Sequence, residues 1–218
     1  LGVDTFVNLT VDVPVVRETV QTTNLELSAD NTSEARFRER ISLGARLTDA
    51  SGPLEGKPVR FALLNGDDET LQIIPGRPTD ADGVSVAEFD VNVPAGEYTV
   101  RASYIGSPDE YAASSDEGSL TVLTAASALA VSPEGVGNHK TVTATLTDSR
   151  DGLPLGARTV EVFANCQLIG SGQTSQDGTF SMEVPARYRA ANARFAASFE
   201  GDLGSERYYS GSWGGPSC

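Results

Sequence analysis

Apolar and polar residues alternate with period two along most of this chain, the signature of strands with one buried face. Val59-Arg-Phe61-Ala-Leu63 and Thr159-Val160-Glu-Val162-Phe163 show it, as do Val84-Ser-Val86-Ala-Glu-Phe89-Asp-Val91 and Thr179-Phe180-Ser-Met182-Glu-Val184. The last two each follow an Asp-Gly pair, Asp82-Gly83 and Asp177-Gly178, which is a tight-turn signal ahead of alternating residues. Tyr98–Tyr104 and Ala193–Phe199 make a further matched pair. No segment has a convincing helical period; Arg187-Tyr-Arg-Ala-Ala-Asn-Ala193 comes nearest and reads as a helical turn within a loop. The pattern predicts strands near 24–29, 40–47, 59–64, 70–74, 84–91, 98–104 and 118–124, and again near 128–132, 141–147, 159–164, 167–171, 179–184, 193–199 and 211–217.

The two sets are copies. Ile41-Ser-Leu-Gly-Ala-Arg-Leu-Thr48-Asp49 returns as Thr141-Val-Thr-Ala-Thr-Leu-Thr147-Asp148, and Thr79-Asp-Ala-Asp-Gly83 returns as Thr174-Ser-Gln-Asp-Gly178. Gly52-Pro-Leu-Glu-Gly56 aligns with Gly152-Leu-Pro-Leu-Gly156, and Tyr104-Ile-Gly106 with Tyr111 aligns with Phe199-Glu-Gly201 with Tyr208. Such a repeat sets the architecture. Seven strands per copy, with turn signals every 8–12 residues, predict an all-β chain of two tandem immunoglobulin-like β-sandwiches. The expected units are an N-terminal segment at 1–20, repeat 1 at 21–125 and repeat 2 at 126–218. Val122-Leu-Thr-Ala-Ala-Ser-Ala-Leu129 links the repeats without Pro or Gly, so a stiff, rod-like pair is expected. Residues 1–13 alternate like a strand, and Asn8-Leu9-Thr10-Val11 matches Ser119-Leu120-Thr121-Val122. They read as the last strand of an upstream repeat, or as an extra edge strand on repeat 1. A free strand of this kind could also complete a neighbouring sandwich in a strand-exchanged fibre.

Composition narrows the function classes. A chain of 218 residues holds two domains of about 100 residues each. With 30 acidic against 16 basic residues the net charge is −14, which argues against nucleic acid and anionic membrane surfaces and favours plain solubility. No apolar run approaches the ~18 residues of a membrane span, so no membrane insertion is expected. The chain opens Leu1-Gly-Val-Asp4, without an initiator Met or a basic leader, which reads as a mature or excised fragment. Fourteen Arg against two Lys suggest a GC-rich bacterial source.

Candidate chemistry is sparse. Cys166 and Cys218 are the only cysteines, both in repeat 2, and read as one disulfide, the alternative being two reduced thiols. His139 is the only histidine and sits in a polar loop, so no imidazole base with a partner is available; with no nucleophile elbow or phosphate loop present, the chain is expected not to be an enzyme. No cofactor is expected. Ca2+ is the one cation that Asp80-Ala-Asp82-Gly83 and Asp148-Ser-Arg-Asp151-Gly152 could suggest, but neither continues as an EF-hand and both read as turns. Lys57 and Lys140, the only amines for an intramolecular isopeptide bond, stand at non-equivalent positions and read as solvated. Tyr208, Tyr209 and Trp213 cluster near the C-terminus, either as a stacking platform for carbohydrate or as the closure of a small core.

Gly52-Pro-Leu-Glu-Gly56 running into Lys57-Pro-Val-Arg-Phe61, Thr79-Asp-Ala-Asp-Gly83-Val and Gly96-Glu-Tyr98-Thr-Val100-Arg-Ala102 resemble the Ig-like repeats of bacterial surface proteins, including intimin/invasin-type modules. In repeat 2 the same resemblance rests on Thr159–Phe163, Leu168-Ile-Gly170, Asp177-Gly178 and Phe199-Glu-Gly-Asp202. It covers roughly residues 24–210 and implies a non-catalytic stalk, spacer or adhesion region of a secreted or surface-anchored bacterial protein; the alternative reading is a carbohydrate- or protein-binding accessory module of a secreted enzyme. Its partners would be neighbouring domains or an unknown surface ligand, carbohydrate or protein. The cysteine pair and short end of repeat 2 depart from that pattern and suggest a terminal capping unit.

Overall fold

The computed structural model describes residues 19–135, 139–204 and 207–217. Repeat 1 carries strands β1 (Asn24–Leu27), β2 (Glu34–Arg36), β3 (Arg40–Asp49), β4 (Gly52–Pro53), β5 (Arg60–Leu64), β6 (Thr70–Pro75), β7 (Val84–Asp90), β8 (Gly96–Tyr104) and β9 (Ser114–Leu123). Repeat 2 carries β10 (Ser127–Glu134), β11 (Thr141–Asp148), β12 (Thr159–Ala164), β13 (Gln167–Gln173), β14 (Thr179–Glu183), β15 (Phe195–Gly201) and β16 (Ser210–Gly214). A 3-10 turn at Ala186–Tyr188 lies between β14 and β15, within the loop where a helical turn was expected. Strands β1, β3 and β7 form one sheet of repeat 1, with β4 folded back on β3; β2-β9-β8-β5-β6 form the other. Repeat 2 repeats the plan with β10-β11-β14 facing β13-β12-β15-β16. The fold is therefore two tandem β-sandwiches.

The period-two pattern explains each core. On β3, Ile41, Leu43, Ala45 and Leu47 turn inward while Arg40, Ser42 and Arg46 face water; on β11, Val142, Ala144 and Leu146 do the same. Phe61, Leu63, Tyr104 and Leu120 fill the first core from the facing sheet, and Val160, Val162, Phe199 and Ala197 fill the second.

Three expectations shift. The first strand ends at Leu27 rather than 29, because Asn31 replaces its continuation: its amide donates to the Gly44 carbonyl at 3.1 Å and its Oδ1 accepts from the Gly44 N–H at 2.8 Å. The chain then crosses to the other sheet as β2, which pairs parallel to β9. The last strand stops at Gly214 rather than 217. The alignment of the copies also slips by one residue in two places. The Gly56 and Ala157 N–H groups donate to the Thr79 and Thr174 carbonyls, so Gly56 corresponds to Ala157 and not to Gly156. Gln21 bridges Tyr111 as Ala125 bridges Tyr209, so Tyr111 corresponds to Tyr209 and not to Tyr208. The expected strand at residues 1–13 lies outside the described residues.

One polar device recurs in both cores. The hydroxyl of buried Thr79 donates to the Leu54 carbonyl at 2.6 Å and accepts from the Lys57 N–H at 2.8 Å. Thr174 does the same with Leu155 at 2.6 Å and Arg158 at 3.1 Å. Each threonine pins the loop after β4 or its counterpart, satisfying backbone groups that no strand reaches.

Candidate functional site: the joint between the repeats

β9 ends at Leu123 and β10 begins at Ser127, so the polypeptide passes from one sandwich to the next in three residues. Those residues are held from both sides. The Phe37 N–H donates to the Leu123 carbonyl at 2.9 Å, and the Arg36 guanidinium to the Thr124 carbonyl at 3.0 Å. Ala125 donates to the Tyr208 carbonyl at 2.8 Å and accepts from the Ser210 N–H at 2.9 Å. A second crossing lies alongside, where the Ala95 N–H donates to the Arg207 carbonyl at 2.8 Å.

The loop between β2 and β3 supplies two side chains to repeat 2. Phe37 packs against the second core rather than its own, with its ring 4.7 Å from that of Tyr208 and 5.6 Å, edge-on, from that of Tyr209. Arg38, in the left-handed region at φ 63, spreads its guanidinium over two carboxylates: Nη1 donates to Asp148 Oδ2 and Nη2 to Asp151 Oδ2, both at 2.8 Å. Asp148 is 1% exposed, yet well supplied: Oδ1 accepts from the Arg150 N–H at 2.9 Å and Oδ2 from the Tyr209 hydroxyl at 3.2 Å. Arg150 returns the contact by donating to the Arg38 carbonyl at 2.6 Å. A buried carboxylate is tolerable only with such a set of donors. The surroundings act on the titrating groups as expected. The Leu153 N–H, and after it Arg38, hold the Asp151 carboxyl below its ordinary range. Burial pushes the Tyr209 phenol up, although Arg38 opposes it.

The residues expected from sequence are dispersed by this arrangement. Tyr209 is 5% exposed and belongs to the joint, with Tyr208 beside it. Trp213 lies elsewhere: it is 43% exposed, across from Ser198 on the outer face of β16, with its ring 5.4 Å from Phe163. Cys166 follows Asn165 in the two-residue β12–β13 hairpin, both at positive φ (62 and 47). No cysteine among the described residues is free, and Cys218 lies outside them. Asp80 Oδ1 accepts from the N–H groups of Asp82 and Val84, which is turn chemistry. Asp148 and Asp151 are committed to Arg38. Lys57 lies over the Tyr111 ring and Lys140 donates to the Ala190 carbonyl. His139 is exposed. Among the described residues no group of three or more His, Cys, Asp or Glu side chains is placed to hold a metal, and no helix is long and apolar enough to cross a membrane. The residues that sequence reasoning missed are Phe37 and Arg38. Their signal was an aromatic and a cation in a polar loop with no counterpart at 138–139.

No family model matches the chain, and no curated protein matches it. Among solved structures, it is similar to the Yersinia pseudotuberculosis adhesin InvE at 12% identity, covering 91% of this chain and 58% of that one with a TM-score of 0.40. It is similar to a tetra-tandem repeat from the extending region of a large adhesion protein at 16% identity, covering 90% and 49% with a TM-score of 0.45. Against Salmonella alpha-2-macroglobulin the identity is 13% and the TM-score 0.36; the match covers 88% of this chain and only 14% of the length of that protein.

Proposed function

We propose that this chain is a stiff, non-catalytic spacer segment of a secreted or surface-anchored bacterial adhesion protein, built from intimin/invasin-like Ig modules. The observation that carries the reading is the joint: repeat 1 inserts Phe37 into the second core and clamps Asp148 and Asp151 with Arg38. A chain whose domains only needed to be connected would not bury an ion pair and an aromatic plug at their junction, since interdomain freedom is the default. Tandem modules locked end to end transmit reach, which is what a stalk requires. The acidic surface keeps such a rod from self-association. NMR relaxation on residues 1–218 should give both repeats one anisotropic tumbling time, and X-ray scattering should show an elongated particle. Separate tumbling times, or a side-by-side globule, would remove the spacer reading.

The tip of repeat 2 is proposed to be closed by a Cys166–Cys218 disulfide. Cys166 is presented at an exposed hairpin turn, and a closed loop of this size is worth about 4 kcal/mol in the chain-entropy view. Intact mass under non-reducing conditions should be lower than that of the reduced chain by two hydrogens. Two thiols titrating in unfolded, unreduced protein would rule the bridge out.

A further inference from the structure

Repeat 1 has its own copy of the receiving half of the joint. Asp49 ends β3 as Asp148 ends β11, and Thr48 bridges Pro53 as Thr147 bridges Pro154. Leu54 donates to the Leu47 carbonyl as Leu155 does to that of Leu146. The entry strand repeats as well. The Gln21 N–H donates to the Glu110 carbonyl, and Gln21 accepts from Ala112, as Ala125 does with Tyr208 and Ser210. Thr23 Oγ1 hydrogen-bonds the Ala112 carbonyl and the Ser114 hydroxyl, as Ser127 Oγ does the Ser210 carbonyl and the Ser212 hydroxyl. Tyr111 thus stands where Tyr209 stands.

Asp49 is partly exposed where Asp148 is buried, and the two carboxylates differ most at one oxygen. Asp49 Oδ1 accepts from the Ser51 N–H, the Ser51 hydroxyl and the Gly52 N–H, at 2.7, 2.6 and 3.1 Å. Its Oδ2, equivalent to the oxygen that Arg38 and Tyr209 share on Asp148, is buried and has no hydrogen-bond partner among the described residues. A buried carboxylate oxygen without a donor is costly, and native structures retain few of them. The geometry points to Asp49 as the socket for the arginine of a third sandwich of the same kind, docked on repeat 1 as repeat 1 docks on repeat 2. This rests on the spacer reading. A guanidinium is the matching donor because it does that work at the joint, reaching the carboxylate from an adjoining loop. The equivalent loop at the far end of repeat 2 does not carry this arginine. There the Glu39 position is Lys140, since both carbonyls accept from the next strand (Val91 and Val184 N–H), so the Arg38 position is His139.

The test duplicates residues 20–123 in place within the full chain, so that the second copy's Asp49 faces the first copy's Phe37 and Arg38. The two copies should tumble as one body in NMR relaxation. Asp49→Asn in the second copy keeps the Oδ1 acceptor but should free the first two modules to tumble separately. Arg38→Ala in the first copy should do the same, and the pair together should add nothing further. In chain 1–218 itself Asp49→Asn should leave the melting temperature unchanged. Copies that tumble as one body despite Asp49→Asn overturn the socket while leaving the spacer reading intact, and copies that separate with Asp49 present overturn it too. Loss of melting temperature on Asp49→Asn in chain 1–218, abolished by deleting residues 1–18, would assign the socket to the N-terminal segment instead. Failure of the spacer reading is read independently, from separate tumbling times of the two repeats in unsubstituted chain 1–218.

Discussion

Arg38→Ala should release repeat 1 from repeat 2, so that two tumbling times replace one while both sandwiches stay folded. Alanine at 38 has to adopt the same left-handed backbone as arginine, so the substitution isolates the side chain. What is lost is a planar fork on two carboxylates, each arm at 2.8 Å. Hydrogen bonds to charged groups are worth about 1.5–3 kcal/mol. The greater cost comes from what the substitution leaves behind: Asp148, 1% exposed, would keep Tyr209 and the Arg150 N–H but lose its main cation. Unpairing a fully buried charge costs about 3–5 kcal/mol. Here the molecule has a cheaper response, since opening the joint lets water reach Asp148. The cost therefore shows as hinge freedom, with only a small loss of melting temperature, about 5 °C, from the uncovered end of repeat 2. Arg38→Lys should rescue little, because an ammonium is a point charge and cannot span Asp148 and Asp151 together. Acid should act in the same direction. The Asp151 carboxyl is held below its ordinary range, so its contribution is complete above about pH 4 and is lost as pH falls through the depressed value. Unchanged one-body tumbling of Arg38→Ala would show that main-chain crossings and Phe37 alone hold the joint.

Much of this architecture is readable from residue order, because strand pattern is local. The alternation along Ile41–Leu47 and Val142–Leu146 gives both the strand and its buried face, and the duplicated Asp-Gly turns give the register between copies. What escapes is whatever depends on a partner distant in the chain. Nothing local marks Asp148 as the anchor of a joint, since its neighbours Ser149-Arg-Asp151-Gly152 spell an ordinary turn; its role comes from Arg38, 110 residues earlier. Tyr208 and Tyr209 look like a surface aromatic pair with Trp213 until the strand geometry separates them. Tyr209 precedes β16 and folds over the end of the sandwich, whereas Trp213 sits on its outer face. The break between β1 and β2 is a third case, because Asn31 imitates a strand's hydrogen bonds to Gly44 and ends the pairing without a Pro or Gly to announce it.

The one-residue slip between Gly56 and Gly156 supplies the reference for a larger expected loss of stability, at Gly83 and Gly178. Gly56 has φ 73 and open space where a Cβ would stand, and its true counterpart, Ala157, holds φ 57 with a Cβ in place. Repeat 2 therefore already contains the experiment: a methyl fits there at the cost of a left-handed backbone alone, about 1–2 kcal/mol. Gly83 and Gly178 have nearly the same dihedral, φ 74 and 71, but different surroundings. A Cβ at either would stand 2.4 Å from a strand carbonyl, Leu47 O or Leu146 O, and those residues' own N–H groups donate to Gly83 and Gly178 at 2.8 Å. Relieving the clash means moving backbone that belongs to the central strand of each core, and close-packed interiors do not yield to such shifts cheaply. Gly83→Ala and Gly178→Ala should each lose more than Gly56→Ala, by about 2 kcal/mol or more. Ala157→Gly should gain about 1 kcal/mol. Each change should lower or raise the melting of its own repeat, because Leu47 belongs to the first core and Leu146 to the second. Equal losses at Gly56 and Gly83 in chemical denaturation would mean that the backbone dihedral, and not the carbonyl behind it, fixes glycine in these turns.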